Sequence, residues 1–409
     1  MTTTWEAAEL IRGSLDHCVK CTICESACPV AAVTPLFPGP KYVGPQAERF
    51  RTHEPSVDAS LDYCSSCGIC TLVCPQGVHV AEINSQARQK MKSQRGISLR
   101  DQLISRTPVQ GKLGTPIAPL ANAVLANKVA RLITEYVIGI HRNAPVPKFA
   151  GRTFQRWARR RPASATAGTD KVVYFHGCST NYFEPGLGEK TVAVLEHNGF
   201  SVVIPPQECC GLPLQSNGIF DTGRSYVRRL VRNLAPYARQ GYKIVATSTS
   251  CGLMLKREAI EILGVDDNDL RLVSEHTYDI CEFLADLDAA GRLRTDFGPV
   301  PMTVTYHAPC QQQGHNIGKP ALDLFDLIPE LKVVELDRAC CGIAGTYGLK
   351  REKYEIAMKV GSGLFSDIRG AHPDAAVCDS ETCRWQITHG TGATSVHPVE
   401  ILHRAYGLA

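Results

Sequence analysis

A rare vicinal unit, Cys-Cys-Gly, occurs twice in this chain, and its neighbours repeat with it. His176-Gly177-Cys178 precedes Cys209-Cys210-Gly211 and Cys251, and His307-Ala308-Pro309-Cys310 precedes Cys340-Cys341-Gly342 and Cys383. Equivalent cysteines lie 132, 131 and 132 residues apart. A fixed offset of this kind marks an internal duplication. The C-terminal half must therefore fold as two similar units, each bringing separated thiols together.

Within each unit, buried-strand sequence alternates with helical sequence. Strands are expected at 171–175, 201–204 and 243–247, with helices at 188–198 and 223–238 between them. The second unit repeats the plan with strands at 302–306, 331–336 and 375–377. This alternation predicts βαβ units and parallel sheets. Each cysteine then falls just past the carboxyl end of a strand, where open α/β sheets place their sites. Cys178, Cys209, Cys210 and Cys251 form one group, and Cys310, Cys340, Cys341 and Cys383 the other. His176 and His307 stand just ahead of the first cysteine of each group, placed to donate to sulfur or to relay a proton. Cys281 reads as a small buried hydrophobe outside both repeats.

A second repetition lies upstream. Cys18-x2-Cys21-x2-Cys24-x3-Cys28-Pro29 returns as Cys64-x2-Cys67-x2-Cys70-x3-Cys74-Pro75. This is the bacterial ferredoxin run, in which three cysteines grip one cluster and the fourth ligates the other. It assigns Cys18, Cys21, Cys24 and Cys74 to a first [4Fe-4S] cluster, and Cys64, Cys67, Cys70 and Cys28 to a second. Zinc pairs need neither the tripled spacing nor the trailing proline. The 35 residues from Pro29 to Tyr63 exceed a minimal hairpin and favour a helical ferredoxin. With 18 cysteines so clustered, and no apolar signal-peptide core near the start, metal ligation is expected rather than disulfides.

Between the two duplications the charge changes. Residues 86–161 hold 16 Lys and Arg against Asp101 and Glu135, a local balance of +14 in a chain of net charge +4. Apolar residues at helical spacing run from Ala121 to Ile140, and the basic run follows with Lys148, Arg152, Arg156, Trp157, Arg159, Arg160 and Arg161. A basic segment with an apolar face suits an anionic membrane surface, and an acidic protein partner is the alternative. No nucleic-acid motif accompanies the charge, so nucleic acid is not the expected partner. The most apolar stretch, Leu113–Asn127, is shorter than a membrane span and contains Pro116 and Pro119. The expected architecture is α+β and multidomain. A helical two-cluster ferredoxin-like domain (1–95) leads to a basic connector (96–168) and two pseudo-symmetric parallel α/β Cys-Cys-Gly domains (169–297 and 298–409).

Two ferredoxin motifs joined to two Cys-Cys-Gly repeats resemble the iron–sulfur oxidoreductase superfamily, from about residue 15 to the C-terminus. That group includes heterodisulfide reductase subunits, the iron–sulfur subunit of glycolate oxidase and the C subunit of anaerobic glycerol-3-phosphate dehydrogenase. Lys20–Cys24 through Pro38–Lys41, Phe175–Cys178, Cys340–Gly348 and Glu381–Gln386 are most similar to the last. The resemblance implies an electron-transfer and membrane-attachment subunit, itself without catalytic residues. It implies the flavin-bearing A subunit and the B subunit of that dehydrogenase as partners, menaquinone as acceptor, and a place on the cytoplasmic face of the inner membrane. It also implies one or two further iron–sulfur clusters in the repeats. A thiol–disulfide oxidoreductase and a glycolate or lactate oxidase subunit are its alternatives. The superfamily closes each repeat with CxxC, whereas here Ser248 and Ser380 take the first position, leaving four matched thiols per repeat. Cys378 stands two residues too early to replace Ser380.

Overall fold

The computed structural model describes residues 10–51, 58–161, 170–338 and 340–408. The sequence also predicts a short amphipathic helix over residues 1–16 and an Ala/Ser/Thr-rich linker at Pro162–Gly168, and most of the first and all of the second lie outside the described residues. The duplicated half forms two four-stranded sheets. Strands β1 (Asp170–Phe175), β2 (Phe200–Val203), β3 (Lys243–Ala246) and β4 (Thr277–Asp279) run in the order β2-β1-β3-β4. Strands β5 (Thr303–Tyr306), β6 (Lys332–Glu335), β7 (Ala375–Val377) and β8 (Ser395–Val396) repeat it as β6-β5-β7-β8. Every pairing is parallel.

Val172, Val173, Tyr174 and Phe175 are all fully buried. Continuous apolar runs like this belong to parallel strands covered on both faces. The fourth strand of each sheet is an addition to what the sequence pattern predicts. Cys281 sits at the start of the helix that follows β4, so it belongs to the first repeat rather than outside it. It is fully buried, as expected of a small hydrophobe.

The two repeats share one core. Tyr174 and Val245 of the first sheet join Tyr306 and Val377 of the second in a single apolar cluster. The central strand of each sheet, β1 or β5, is where strand order reverses, so the crevice at its carboxyl end is the switch point.

In the ferredoxin region the short helix Ile23–Ser26 packs on a second, Ile69–Leu72, which packs on the long helix α1 (Val80–Arg95). The connector is a chain of short helices: α2 (Leu99–Ile104), α3 (Thr107–Gly114), α4 (Ala118–Ala126) and α5 (Lys128–Val137). The apolar periodicity over 121–140 does not make one helix. Asn127 is extended (φ −77, ψ 120) and its side chain accepts from the Ala130 N–H, capping α5 and breaking the run. No helix among the described residues is long and apolar enough to cross a membrane. The connector lies close on the first repeat, since a Cβ on Gly111 would meet the Tyr182 ring at 2.2 Å.

Candidate metal centres

The ferredoxin motifs fold into the crossed arrangement that their spacing predicts. Cys18, Cys21, Cys24 and Cys74 line one hollow, and Cys28, Cys64, Cys67 and Cys70 line another. Lys20 and Thr22 in one loop, and Ser66 and Gly68 in the other, take left-handed φ values between 58° and 82°. Those turns curl three thiols of each motif around one point. The Ala31 and Val78 N–H groups lie 3.5 and 3.4 Å from the sulfurs of Cys28 and Cys74. Burial pushes the Cys28 thiol up to about 11 and raises Cys70 as well. A bound cation offsets that penalty on the thiolate. Four thiols per hollow, with N–H donors at sulfur, fit a four-iron cluster.

The duplicated half differs from two separate sites. The eight matched cysteines of both repeats line one cavity of about 190 Å³, and Cys67 of the second ferredoxin hollow is also in its wall. Within the groups, the Cys341 and Cys383 sulfurs are 2.9 Å apart. Cys178 and Cys210 donate to Cys209 and hold it well below the ordinary thiol range, helped by the Gly211 N–H. Cys310, Cys341 and the Gly342 N–H do the same for Cys340. Cys341 and Cys378 likewise hold Cys383 low, so the first group has one thiol poised as thiolate and the second has two.

The glycine of each Cys-Cys-Gly unit has a physical reason. Gly211 and Gly342 have φ of 87° and 90°. A Cβ on Gly342 would meet the Ala357 carbonyl oxygen at 2.0 Å, and one on Gly211 would meet that of Gly223 at 3.1 Å. Glycine alone turns the chain there while a helix backbone passes this close.

His176 and His307 are both buried at the strand ends. His176 Nδ1 lies 2.7 Å from the Gly177 carbonyl, and burial pushes its pKa down to about 4. His307 is also lowered by burial, and neither ring nitrogen has a hydrogen-bond partner among the described residues. Both are therefore neutral rings beside the thiols.

Of the serines that replace cysteine, Ser248 turns to the other repeat, whereas Ser380 stays beside Cys383 and helps hold its thiol low. Ser248 Oγ donates to Glu381 Oε1 of the other repeat at 3.3 Å, and Ser179 Oγ donates to the same oxygen at 2.9 Å. Ser380 Oγ lies 3.3 Å from Thr382 Oγ1. Cys378, which the spacing set aside, is fully buried and its thiol donates to Cys383. The second repeat thus gathers five sulfurs where the first has four. Sequence offsets alone could not find it, since its counterpart in the first repeat is Ala246. Connector residues that no motif marks also reach the cavity, including Ile104, Thr107, Val146 and Phe149. Phe149, Phe183 and Trp385 meet there from three parts of the chain, with centroids 5.5 and 5.9 Å apart in turn.

The basic run divides. Arg152 pairs with Glu189 at 2.7 Å, and Arg161 pairs with Glu196 and donates to the Val202 carbonyl. Trp157 stacks on the buried Phe154, and the Arg161 guanidinium lies 5.8 Å from its ring centroid. These three residues fasten the connector to the first repeat. Lys148, Arg156, Arg159 and Arg160 are exposed. The open apolar surface lies earlier, on α3 to α5, where Leu113, Leu120, Val129, Tyr136 and Val137 are each at least 65% exposed.

A dicluster ferredoxin region joined to a fused pair of cysteine-rich α/β units defines an iron–sulfur electron-transfer protein. Residues 14–78 match the family model of the 4Fe-4S dicluster domain, and residues 172–256 and 304–388 match that of the cysteine-rich domain. The chain is 37% identical over 396 residues to the C subunit of anaerobic glycerol-3-phosphate dehydrogenase from Escherichia coli (strain K12), covering 96% of this chain and 98% of that protein. It is 32% identical over 246 residues to the B subunit of fumarate reductase (CoM/CoB) from Methanothermobacter marburgensis, covering 58% of this chain and 46% of that one. It is 27% identical over 258 residues to the D subunit of dihydromethanophenazine:CoB–CoM heterodisulfide reductase from Methanosarcina barkeri, covering 58% and 59%. The chain belongs to the family of C subunits of anaerobic glycerol-3-phosphate dehydrogenases.

Proposed function

We propose that the chain is the electron-transfer and membrane-attachment subunit of an anaerobic sn-glycerol-3-phosphate dehydrogenase complex. It takes electrons from the flavin-bearing A subunit, which the B subunit accompanies, and delivers them to menaquinone at the cytoplasmic face of the inner membrane. The observation that carries this reading is the position of Cys67, in the wall of both the second ferredoxin hollow and the shared cavity. One thiol set thereby borders the next, as a relay requires. Iron–sulfur clusters held by Cys18, Cys21, Cys24 and Cys74, by Cys28, Cys64, Cys67 and Cys70, and by the two Cys-Cys-Gly groups supply reversible one-electron transfer. The residues themselves fix the spacing of the thiol sets, exclude water and keep selected sulfurs ionised.

Membrane attachment is supported by the exposed apolar residues of α3 to α5, with Lys112 and Lys128 exposed beside them. Apolar burial and cation attraction together bind such a surface to anionic lipid. The test is reconstitution with the two partner subunits. Anaerobic glycerol 3-phosphate should bleach the iron–sulfur absorption of this chain, and a water-soluble menaquinone analogue should restore it. Bleaching that the quinone does not reverse would defeat the acceptor assignment.

A second reading has one observation in its favour. Cys378 brings a fifth sulfur to the second repeat, which suits a site that cleaves a disulfide. Substrate thiols would then induce a new paramagnetic signal at low temperature, which an electron relay does not give.

A further inference from the structure

Arg88 of α1 is 4% exposed and sits where the ferredoxin region meets the repeats. Its guanidinium donates four hydrogen bonds. Nη1 reaches Ser66 Oγ at 2.7 Å and the Ser216 carbonyl at 2.9 Å, and Nη2 reaches the carbonyls of Cys64 at 2.6 Å and Leu61 at 3.3 Å. All four acceptors are neutral. No carboxylate among the described residues forms an ion pair with Arg88.

The surroundings are cationic too. Lys92 lies 3.1 Å from Asp62 and 3.4 Å from Asp101, Lys350 lies 2.9 Å from Asp101, and Lys353 lies 3.4 Å from Asp62. Arg100, beside Asp101, is matched by Glu352 at 2.8 Å. Together Arg88, Lys92, Arg100, Lys350 and Lys353 face Asp62, Asp101 and Glu352, five cationic groups against three carboxylates. Burial, with Lys350 beside it, pushes Lys353 down to about 7, so it carries only part of a charge near neutral pH and Arg88 is the fixed cation here. Buried charge without a counter-charge is costly. The group in reach that could carry the missing negative charge is the thiol set of Cys28, Cys64, Cys67 and Cys70, whose Cys64 backbone Arg88 grips. A four-iron cube held by four thiolates is an anion and becomes more so on reduction.

We propose that Arg88 is a positioning residue for the second ferredoxin cluster. It holds the Cys64–Ser66 loop in shape, and its fixed charge raises the reduction potential of that cluster. This rests on the assignment of Cys28, Cys64, Cys67 and Cys70 as one cluster-holding set. A cationic field favours the reduced, more negative state, and net charge and hydrogen bonds near sulfur are established levers on cluster potential.

The test is a redox titration of the anaerobically purified, iron-loaded chain, followed by low-temperature electron paramagnetic resonance. Arg88→Met should lower one of the two ferredoxin midpoints by at least tenfold in the reduction equilibrium, about 59 mV for one electron, and leave the other in place. Arg88→Lys keeps the charge while losing the fork of hydrogen bonds, and should hold the midpoint near wild type. Equal shifts in both variants, or none in either, would overturn the proposal. If Arg88→Met does not load iron, Lys353→Met reads the same field and should lower the same midpoint, and no shift there would also overturn it. Cys67→Ala separates the underlying assignment from the role of Arg88. If both ferredoxin signals persist unchanged in Cys67→Ala, the thiol set is wrong.

Discussion

Gly342→Ala and Gly211→Ala are the same substitution at duplicated positions, and the structure predicts unequal costs. Both glycines are left-handed, near φ 90°. An alanine there costs roughly 1–2 kcal/mol from the backbone alone. At Gly211 little is added, because the nearest atom, the Gly223 carbonyl oxygen, would stand 3.1 Å from the new Cβ. At Gly342 the Ala357 carbonyl oxygen would stand at 2.0 Å, its carbon at 2.9 Å and the Gly361 nitrogen at 3.1 Å. Those atoms are backbone of the helix Tyr354–Ala371, so a whole helix must shift. Overpacking of this kind adds about 1–3 kcal/mol. Gly342→Ala should therefore cost roughly 2–5 kcal/mol and Gly211→Ala roughly 1–2. In domains of this size, 1 kcal/mol moves Tm by about 2–4 °C. Anaerobic thermal unfolding of the two variants measures the difference directly. Because the Gly342 N–H lies 3.3 Å from the Cys340 sulfur, Gly342→Ala should also lower iron content. A Gly211→Ala variant equal to or worse than Gly342→Ala would refute the reasoning.

Three further outcomes follow from particular contacts. Burial raises the Asp279 carboxyl to about 8, with Asp379 adding to it, and burial raises Asp379 too. A carboxyl whose folded pKa lies above its unfolded one stabilises most below the unfolded value, and that contribution is lost as pH rises to the folded one. Wild-type Tm should therefore fall between about pH 4 and 8, and Asp279→Asn, which keeps the helix cap, should flatten that fall by about 1.4 kcal/mol for each tenfold of raised proton affinity it removes. A slope unchanged in the variant would show that other groups set it. Val129→Glu with Ile133→Glu should reduce binding to anionic vesicles at least tenfold, whereas Arg152→Gln with Arg161→Gln should lower Tm and bind nearly as wild type. The reverse pattern would return the membrane contact to the basic run. Cys378→Ser should leave the ferredoxin signals intact and change only those of the repeats, and a ferredoxin signal that moves would contradict its placement beside Cys383.

The cysteines were the legible part of the fold. The bacterial ferredoxin run places Cys74 with Cys18, Cys21 and Cys24, because its fourth cysteine goes to the other cluster. The parallel sheets were legible from runs such as Val172–Phe175, where both faces are apolar. What stayed hidden depends on contacts between distant segments. The two thiol groups meet in one cavity because the repeats share a core through Tyr174 and Tyr306, and no offset encodes that. Cys378 has no partner in the duplication, so only the folded β7 edge brings it to Cys383. Strands β4 and β8 are three and two residues long, too short to show a period. Within the basic run, a charge count does not distinguish Arg152, held by Glu189, from the open Arg156.

The central claim is that all three thiol assemblies hold iron–sulfur clusters in one electron path. Iron and acid-labile sulfide per anaerobically purified chain, with zinc measured alongside, test it most directly. Two four-iron clusters in the crossed hollows account for about eight iron atoms, so the account predicts about twelve or more, with sulfide to match. A plateau near eight would leave the shared cavity empty and contradict the relay, and zinc in place of iron would contradict it altogether.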